Sequence, residues 1–298
     1  MTNRVYRVPV SFGANLFAEE ILPDRPAAAG APTVVLAHGW CLDHTSWHKV
    51  IADLRRRRDV RIVVFDLRGH GKSTMGVVDE PSVRILGDDF YEVIDMAAPD
   101  GPLVLGGHSM GGMSIMSYAG LHHDHFSARV RGTVLASTAS SIEGRTPVPL
   151  ESLIMGIASR APGIPPRLLV PRIVQGRLLF GENADPNDIK HCIHQIKNTK
   201  MPTIGRFFNA ISKHNEAEAL AHFVDVPTHI ITGSEDRLIP VPHAQALRQR
   251  IPAADLHVVP DAGHMTIYEA AEFITDTIVS LLDSAPPARR SASRRSAR

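Results

Sequence analysis

An α/β architecture, with a mostly parallel sheet flanked by helices and an inserted helical segment, is predicted by three observations. Short runs of Val, Ile and Leu recur along the chain, longer amphipathic stretches alternate with them, and the alternation lapses between residues 141 and 225 before resuming. Continuous apolar runs suit strands covered on both faces, and their alternation with helical stretches is the rhythm of βαβ units.

Four such runs come first: TVVLAHG (33–39), RIVVFDLRG (61–69), PLVLGGHS (102–109) and VRGTVLAS (130–137). Ser46–Arg58, Gly87–Ala97 and Met110–Leu121 supply the intervening helical candidates. The pattern resumes with THIITGSED (228–236), a helix from Pro242 to Arg250, the strand DLHVVPD (255–261) and a last helix at Glu269–Leu282. Residues 1–140 and 226–283 thus form the predicted core.

An 85-residue interruption is too long for a structureless loop in a compact domain, so 141–225 is read as a helical cap. Apolar residues share helical faces at Leu150/Leu153/Ile154/Ile157, Ile189/Cys192/Ile193/Ile196 and Ile204/Phe207/Phe208/Ile211. Asp185-Pro186 supplies an N-cap and a first-turn proline for the second face. After it all, 284–298 holds five arginines and no large apolar residue, which predicts a disordered basic tail with at most a weak contact to an anionic surface.

Composition narrows the function. An apolar fraction of 44% supports a sizeable core, and a net charge of +1 gives no reason to expect a nucleic-acid partner. Two cysteines, Cys41 and Cys192, cannot build a disulfide framework, and no stretch reaches the ~20 apolar residues of a membrane span. The amino terminus lacks the apolar stretch of a signal peptide, and the expected location is the cytoplasm, without stable membrane insertion. Oligomeric state has no signature in the sequence.

The strongest chemical signal is Gly107-His108-Ser109-Met110-Gly111, a G-x-S-x-G sequence between an apolar strand and a helix. A serine on such a sharp turn has its hydroxyl exposed above the helix amino terminus, where backbone N–H groups meet developing negative charge. A hydroxyl needs a base, and the base needs an orienting acid. Asp236, after the strand THIITG, and His264, after LHVV, lie at strand carboxyl ends that gather on the same rim. Glu235 competes with Asp236 by adjacency alone.

Together HGW (38–40), DLRGHGKS (66–73), GHSMGG (107–112), GSEDRLIP and GHM resemble the α/β-hydrolase superfamily, particularly its esterase, lipase and cofactor-free perhydrolase branch. The resemblance implies the α/β-hydrolase fold and the catalytic set Ser109, Asp236 and His264 in that chain order. It favours Asp236 over Glu235, and it implies an oxyanion hole formed by the backbone N–H groups of Trp40 and Met110. It also implies hydrolysis of a carboxylic ester or thioester with no cofactor and no metal. Carbon–carbon bond hydrolysis, perhydrolysis and a slow-turnover ligand receptor use the same residues and stay open.

The cap faces suit either a small hydrophobic acyl substrate, with Phe207 and Phe208 as pocket residues, or packing onto the sheet. The histidines at 122, 123 and 125 and the pair His191/His194 lack the companions of a recognised metal site, and Cys41 is read as apolar packing. Gly71-Lys72-Ser73 imitates the end of a phosphate-binding loop, but that motif needs glycine where Asp66 stands.

Overall fold

The computed structural model describes residues 3–28, 30–142, 176 and 178–284. The basic tail from 285 onward and the helical face beginning at Leu150 lie outside the described residues. Eight strands form one sheet: β1 (Arg4–Val10), β2 (Ala14–Ile21), β3 (Thr33–Ala37), β4 (Ile62–Phe65), β5 (Leu103–His108), β6 (Val130–Ala136), β7 (Thr228–Gly233) and β8 (Asp255–Val259). Their spatial order is β1-β2-β4-β3-β5-β6-β7-β8, with antiparallel pairing for β1–β2 and β2–β4 and parallel pairing elsewhere.

The apolar runs form strands because successive side chains are buried on opposite faces. Val35, Ala37, Val63, Phe65 and Leu105 point into one core, while Val34, Leu36, Ile62, Val64 and Val104 point into the other. The first core is covered by α2 (Val83–Ala97) and α3 (Met110–Leu121), the second by α1 (His48–Arg57) and by α9 (Ala271–Ser284). Between these come α4 (His123–Arg129), α5 (Pro186–Asn198), α6 (Met201–Ser212), α7 (Val241–Arg250) and α8 (Thr266–Glu269). The expected last helix is thus divided at Ala270, whose ψ of 30° interrupts it.

The β1–β2 hairpin was not anticipated. Its turn places Phe12 at φ 58° beside Gly13 at φ 68°. Glu20, a residue that argues against a buried strand, is fully buried in β2 because Tyr6 donates to Oε2 at 2.7 Å and Arg61 to Oε1 at 2.8 Å.

Two helices from the described part of the insertion dock beside the carboxyl ends of the strands. Asp185 caps α5, accepting the Asn187 N–H at 2.8 Å, and Pro186 occupies its first turn. Gln195 on α5 donates to Asp43 Oδ1 at 2.9 Å and Thr45 Oγ1 at 2.8 Å, and Thr203 on α6 donates to the Gly69 carbonyl at 3.1 Å. These bonds attach both helices to the loops following β3 and β4.

Candidate active site

Ser109 stands between β5 and α3 with φ 52° and ψ −118°, outside the ordinary regions for a residue with a Cβ. Close packing enforces the turn. A Cβ on Gly107 would lie 2.6 Å from the Gly112 nitrogen, and one on Gly111 would collide with the Ala37 carbonyl of β3. Strand and helix can approach this closely only because both positions are glycine. Ser109 is held by its N–H to Ala136 O at 2.9 Å and by Thr138 Oγ1 donating to its carbonyl at 2.7 Å. Its hydroxyl is hydrogen-bonded to no described residue.

Asp236 follows β7, and its two carboxylate oxygens have separate tasks. Oδ1 accepts the N–H groups of Leu238 at 2.9 Å and Ile239 at 2.8 Å, fixing the side chain on its own turn. Oδ2 accepts from His264 Nδ1 at 2.8 Å. A carboxylate can only accept, so His264 carries its proton on Nδ1 and leaves Nε2 as a free base in the neutral ring. Both residues are buried. Glu235, the competing acid, pairs with Arg237 at 3.8 Å and does not bond His264.

His108 links the serine turn to the histidine turn. Its Nε2 donates to the His264 carbonyl at 2.9 Å, and the two rings lie 5.0 Å apart at their centroids. Burial holds the His108 pKa down to about 3, so this ring is a neutral structural donor. The structure therefore bonds Asp236 to His264 directly and brings the Ser109 turn against His264 through its neighbour.

On the same rim, after β3, Gly39–Leu42 forms a turn closed by the Leu42 N–H to Gly39 O at 3.2 Å, with Cys41 at φ 64°. His38 braces it. Nδ1 donates to Gly39 O at 2.7 Å, and Nε2 accepts the Leu67 N–H at 2.9 Å. Burial lowers the His38 pKa, which keeps this donor–acceptor pattern intact. Thr199, at the end of α5, donates to the strained Cys41 carbonyl at 3.1 Å. Neither the Trp40 nor the Met110 backbone N–H is bonded to a described residue.

The pair from the α6 face divides. Phe207 is fully buried in the core, 5.4 Å from the His70 ring, whereas Phe208 lies over Trp40 at 6.0 Å with 8% of its surface exposed. Cys41 is buried with Met201 and Ile204, and burial pushes its thiol well above the usual range.

Among the described residues, the one group with metal-like spacing is Asp43, His44 and Asp66. Its donor atoms are already engaged. Asp66 Oδ1 accepts from His44 N and Nδ1 at 2.8 and 2.7 Å, Oδ2 accepts the Lys72 N–H at 2.7 Å, and Asp43 Oδ1 accepts from Thr45 and Gln195. This is a loop clamp. The histidines weighed above as metal ligands have separate partners: His122 with Asp88, His123 with Asp124, His125 with Tyr118, His191 with Tyr268 and His194 with Asn198.

A strand-borne serine elbow, a carboxylate-oriented histidine and two unengaged amides stand at one rim. Residues 34–277 match the model of the alpha/beta hydrolase family, and the chain belongs to that family. The monoacylglycerol lipase of Mycolicibacterium smegmatis is 27% identical over 260 residues, covering 84% of this chain and 88% of the lipase. The 3-oxoadipate enol-lactonase 1 of Acinetobacter baylyi is 25% identical over 246 residues, covering 81% and 85%. Among solved structures, the enol-lactonase of Burkholderia xenovorans superposes with a TM-score of 0.77 at 22% identity, covering 94% of this chain and all of that one. The thermophilic esterase of Thermogutta terrifontis gives a TM-score of 0.74 at 23% identity, covering 95% and 98%.

Neither His108 nor Glu269 stood out as a site residue in the sequence. Each bonds the backbone of a segment far away in the chain, His108 the His264 carbonyl and Glu269 the Gly181 N–H, a relation without a local pattern.

Proposed function

We infer that this hydrolase cleaves a carboxylic ester or thioester through an acyl-enzyme formed on Ser109. The observation that carries this reading is the Asp236–His264 bond at 2.8 Å, which fixes the tautomer whose Nε2 can take a serine proton. Ser109 Oγ attacks the carbonyl carbon as its proton passes to His264 Nε2. The Trp40 and Met110 N–H groups receive the oxyanion, and Asp236 stabilises the imidazolium. His264 then protonates the leaving alcohol or thiol as the tetrahedral state collapses. Water, deprotonated by the same Nε2, attacks the acyl-enzyme and releases the acid and free Ser109.

The named activities of the lipase and enol-lactonase relatives agree with this chemistry, since an acylglycerol and a lactone both contain a carboxylic ester. Phe208 over Trp40 gives the site an apolar wall beside the oxyanion turn, which favours a small hydrophobic acyl group. Mixing the enzyme with excess p-nitrophenyl ester tests the reading. A rapid release of nitrophenol stoichiometric with enzyme should precede steady turnover, and a medium containing thiol or alcohol should partition the acyl group. Hydrolysis undiminished in Ser109→Ala contradicts the proposal.

A further inference from the structure

We propose that Glu269 is a positioning residue of this site: its carboxylate fixes the turn bearing His264 against the segment of the insertion that lies just ahead of α5. This inference rests on the assignment of His264 as the base. Three successive residues of the turn are held from three directions. The Gly263 N–H donates to Glu269 Oε2 at 3.1 Å, the His264 carbonyl accepts from His108 at 2.9 Å, and the Met265 N–H donates to Leu179 O at 3.1 Å. The other carboxylate oxygen, Oε1, accepts the Gly181 N–H at 2.8 Å. One side chain therefore joins two backbone segments from separate parts of the chain.

The two segments meet too closely for side chains between them. A Cβ on Gly263 would stand 2.5 Å from the Phe180 carbonyl carbon and 2.7 Å from the Gly181 nitrogen, while one on Gly181 would collide with the Asp261 carbonyl. Glu269 closes this junction from the end of α8, which starts two residues after His264. Its half-buried carboxylate has no cationic partner among the described residues. Its acceptor capacity is directed instead at two peptide N–H groups, the kind of charge-assisted bond that holds a backbone firmly.

The position of Gly263 matters because its peptide leads directly into His264. A displacement there swings the imidazole relative to both Asp236 Oδ2 and the Ser109 turn, and misplacement by ~1 Å can cost about 100-fold in rate. In Glu269→Gln one amide oxygen can keep one acceptor role, but the –NH2 group then confronts the other backbone N–H. Two donors face each other, and the junction opens.

The test compares wild type, Glu269→Gln, Glu269→Asp and Ser109→Ala on p-nitrophenyl acetate. The expected result for Glu269→Gln is a fall in kcat of about 10- to 100-fold with KM changed less than about twofold, since the acyl-binding surface is untouched. Glu269→Asp, which restores the charge, should recover part of kcat. A folded Glu269→Gln with wild-type kcat overturns the inference. Loss of all turnover in Ser109→Ala beside that result would leave the site assignment standing, whereas retained turnover in Ser109→Ala would remove its basis. Hydrogen exchange in ¹⁵N-glycine-labelled wild type covers the case in which neither Glu269 variant folds. The Gly181 and Gly263 amides should both be protected, and rapid exchange of either overturns the clamp.

Discussion

Replacing Asp236 with asparagine changes one atom of the site, and the surrounding bonds dictate its orientation. Oδ1 receives two backbone N–H groups, at 2.9 and 2.8 Å, so the asparagine oxygen must stay there and its –NH2 must face His264. His264 Nδ1–H would then oppose another donor. Relief comes from the other tautomer, in which Nδ1 accepts and Nε2 carries the proton, and that tautomer cannot deprotonate Ser109. Restoring the productive tautomer leaves two buried donors opposed, a cost of about 1–3 kcal/mol. The imidazolium also loses a carboxylate, worth about 4 kcal/mol for charges ~4 Å apart at an effective dielectric of ~20. The sum, about 5–7 kcal/mol, corresponds to a fall in kcat of about 10⁴- to 10⁵-fold. The flipped ring still accepts from the new amide, so folding stability should change by no more than about 1 kcal/mol. Steady-state hydrolysis of p-nitrophenyl acetate at pH 8, with urea unfolding as control, measures both quantities. A kcat within tenfold of wild type would refute the reasoning.

Other perturbations probe the insertion and the buried histidines. Phe207→Ala, at a fully buried position, should cost about 3–5 kcal/mol in urea unfolding. Phe208→Ala should instead change the acyl chain-length profile of kcat/KM more than stability, because Phe208 lies over Trp40; an unchanged profile with a large stability loss would assign it to packing. Burial lowers the pKa of His70 to about 3, below its unfolded value of ~6.5, so the unfolded chain takes up a proton that the folded protein refuses. Its contribution to stability is present above pH ~6.5 and is lost as pH falls towards 3, at up to about 1.4 kcal/mol per pH unit. His70→Asn keeps a donor for the Arg68 carbonyl without titrating, so its stability should fall less steeply than wild type from pH 6 to pH 4.5. Parallel slopes would contradict the assignment of that acid sensitivity to His70.

The parts of the fold legible in the sequence are those where local chemistry has one solution. TVVLA and RIVVF are apolar at consecutive positions because both sheet faces are covered, and GHSMG needs its glycines because strand and helix nearly touch. The β1–β2 hairpin was illegible for the opposite reason. Only Val8 of β1 is buried, and Glu20 of β2 is tolerated through partners as distant as Arg61. The Ser109, Asp236 and His264 positions could be read from strand-end motifs, and the structure supplies the 2.8 Å bond that distinguishes Asp236 from Glu235. The contacts of His108 with the His264 carbonyl, of Thr199 with the Cys41 carbonyl and of Glu269 with the Gly181 N–H were not readable, since each depends on where the chain returns after a long excursion.

The central claim is that Ser109 is the nucleophile, and covalent labelling tests it most directly. After reaction with a fluorophosphonate, proteolysis and mass spectrometry should find the phosphonyl group on the peptide containing Ser109, at one equivalent per chain, with activity lost in proportion. Ser109→Ala should take up none while unfolding at the same urea concentration as wild type. Stoichiometric labelling of any other residue, or undiminished labelling of Ser109→Ala, would contradict the account.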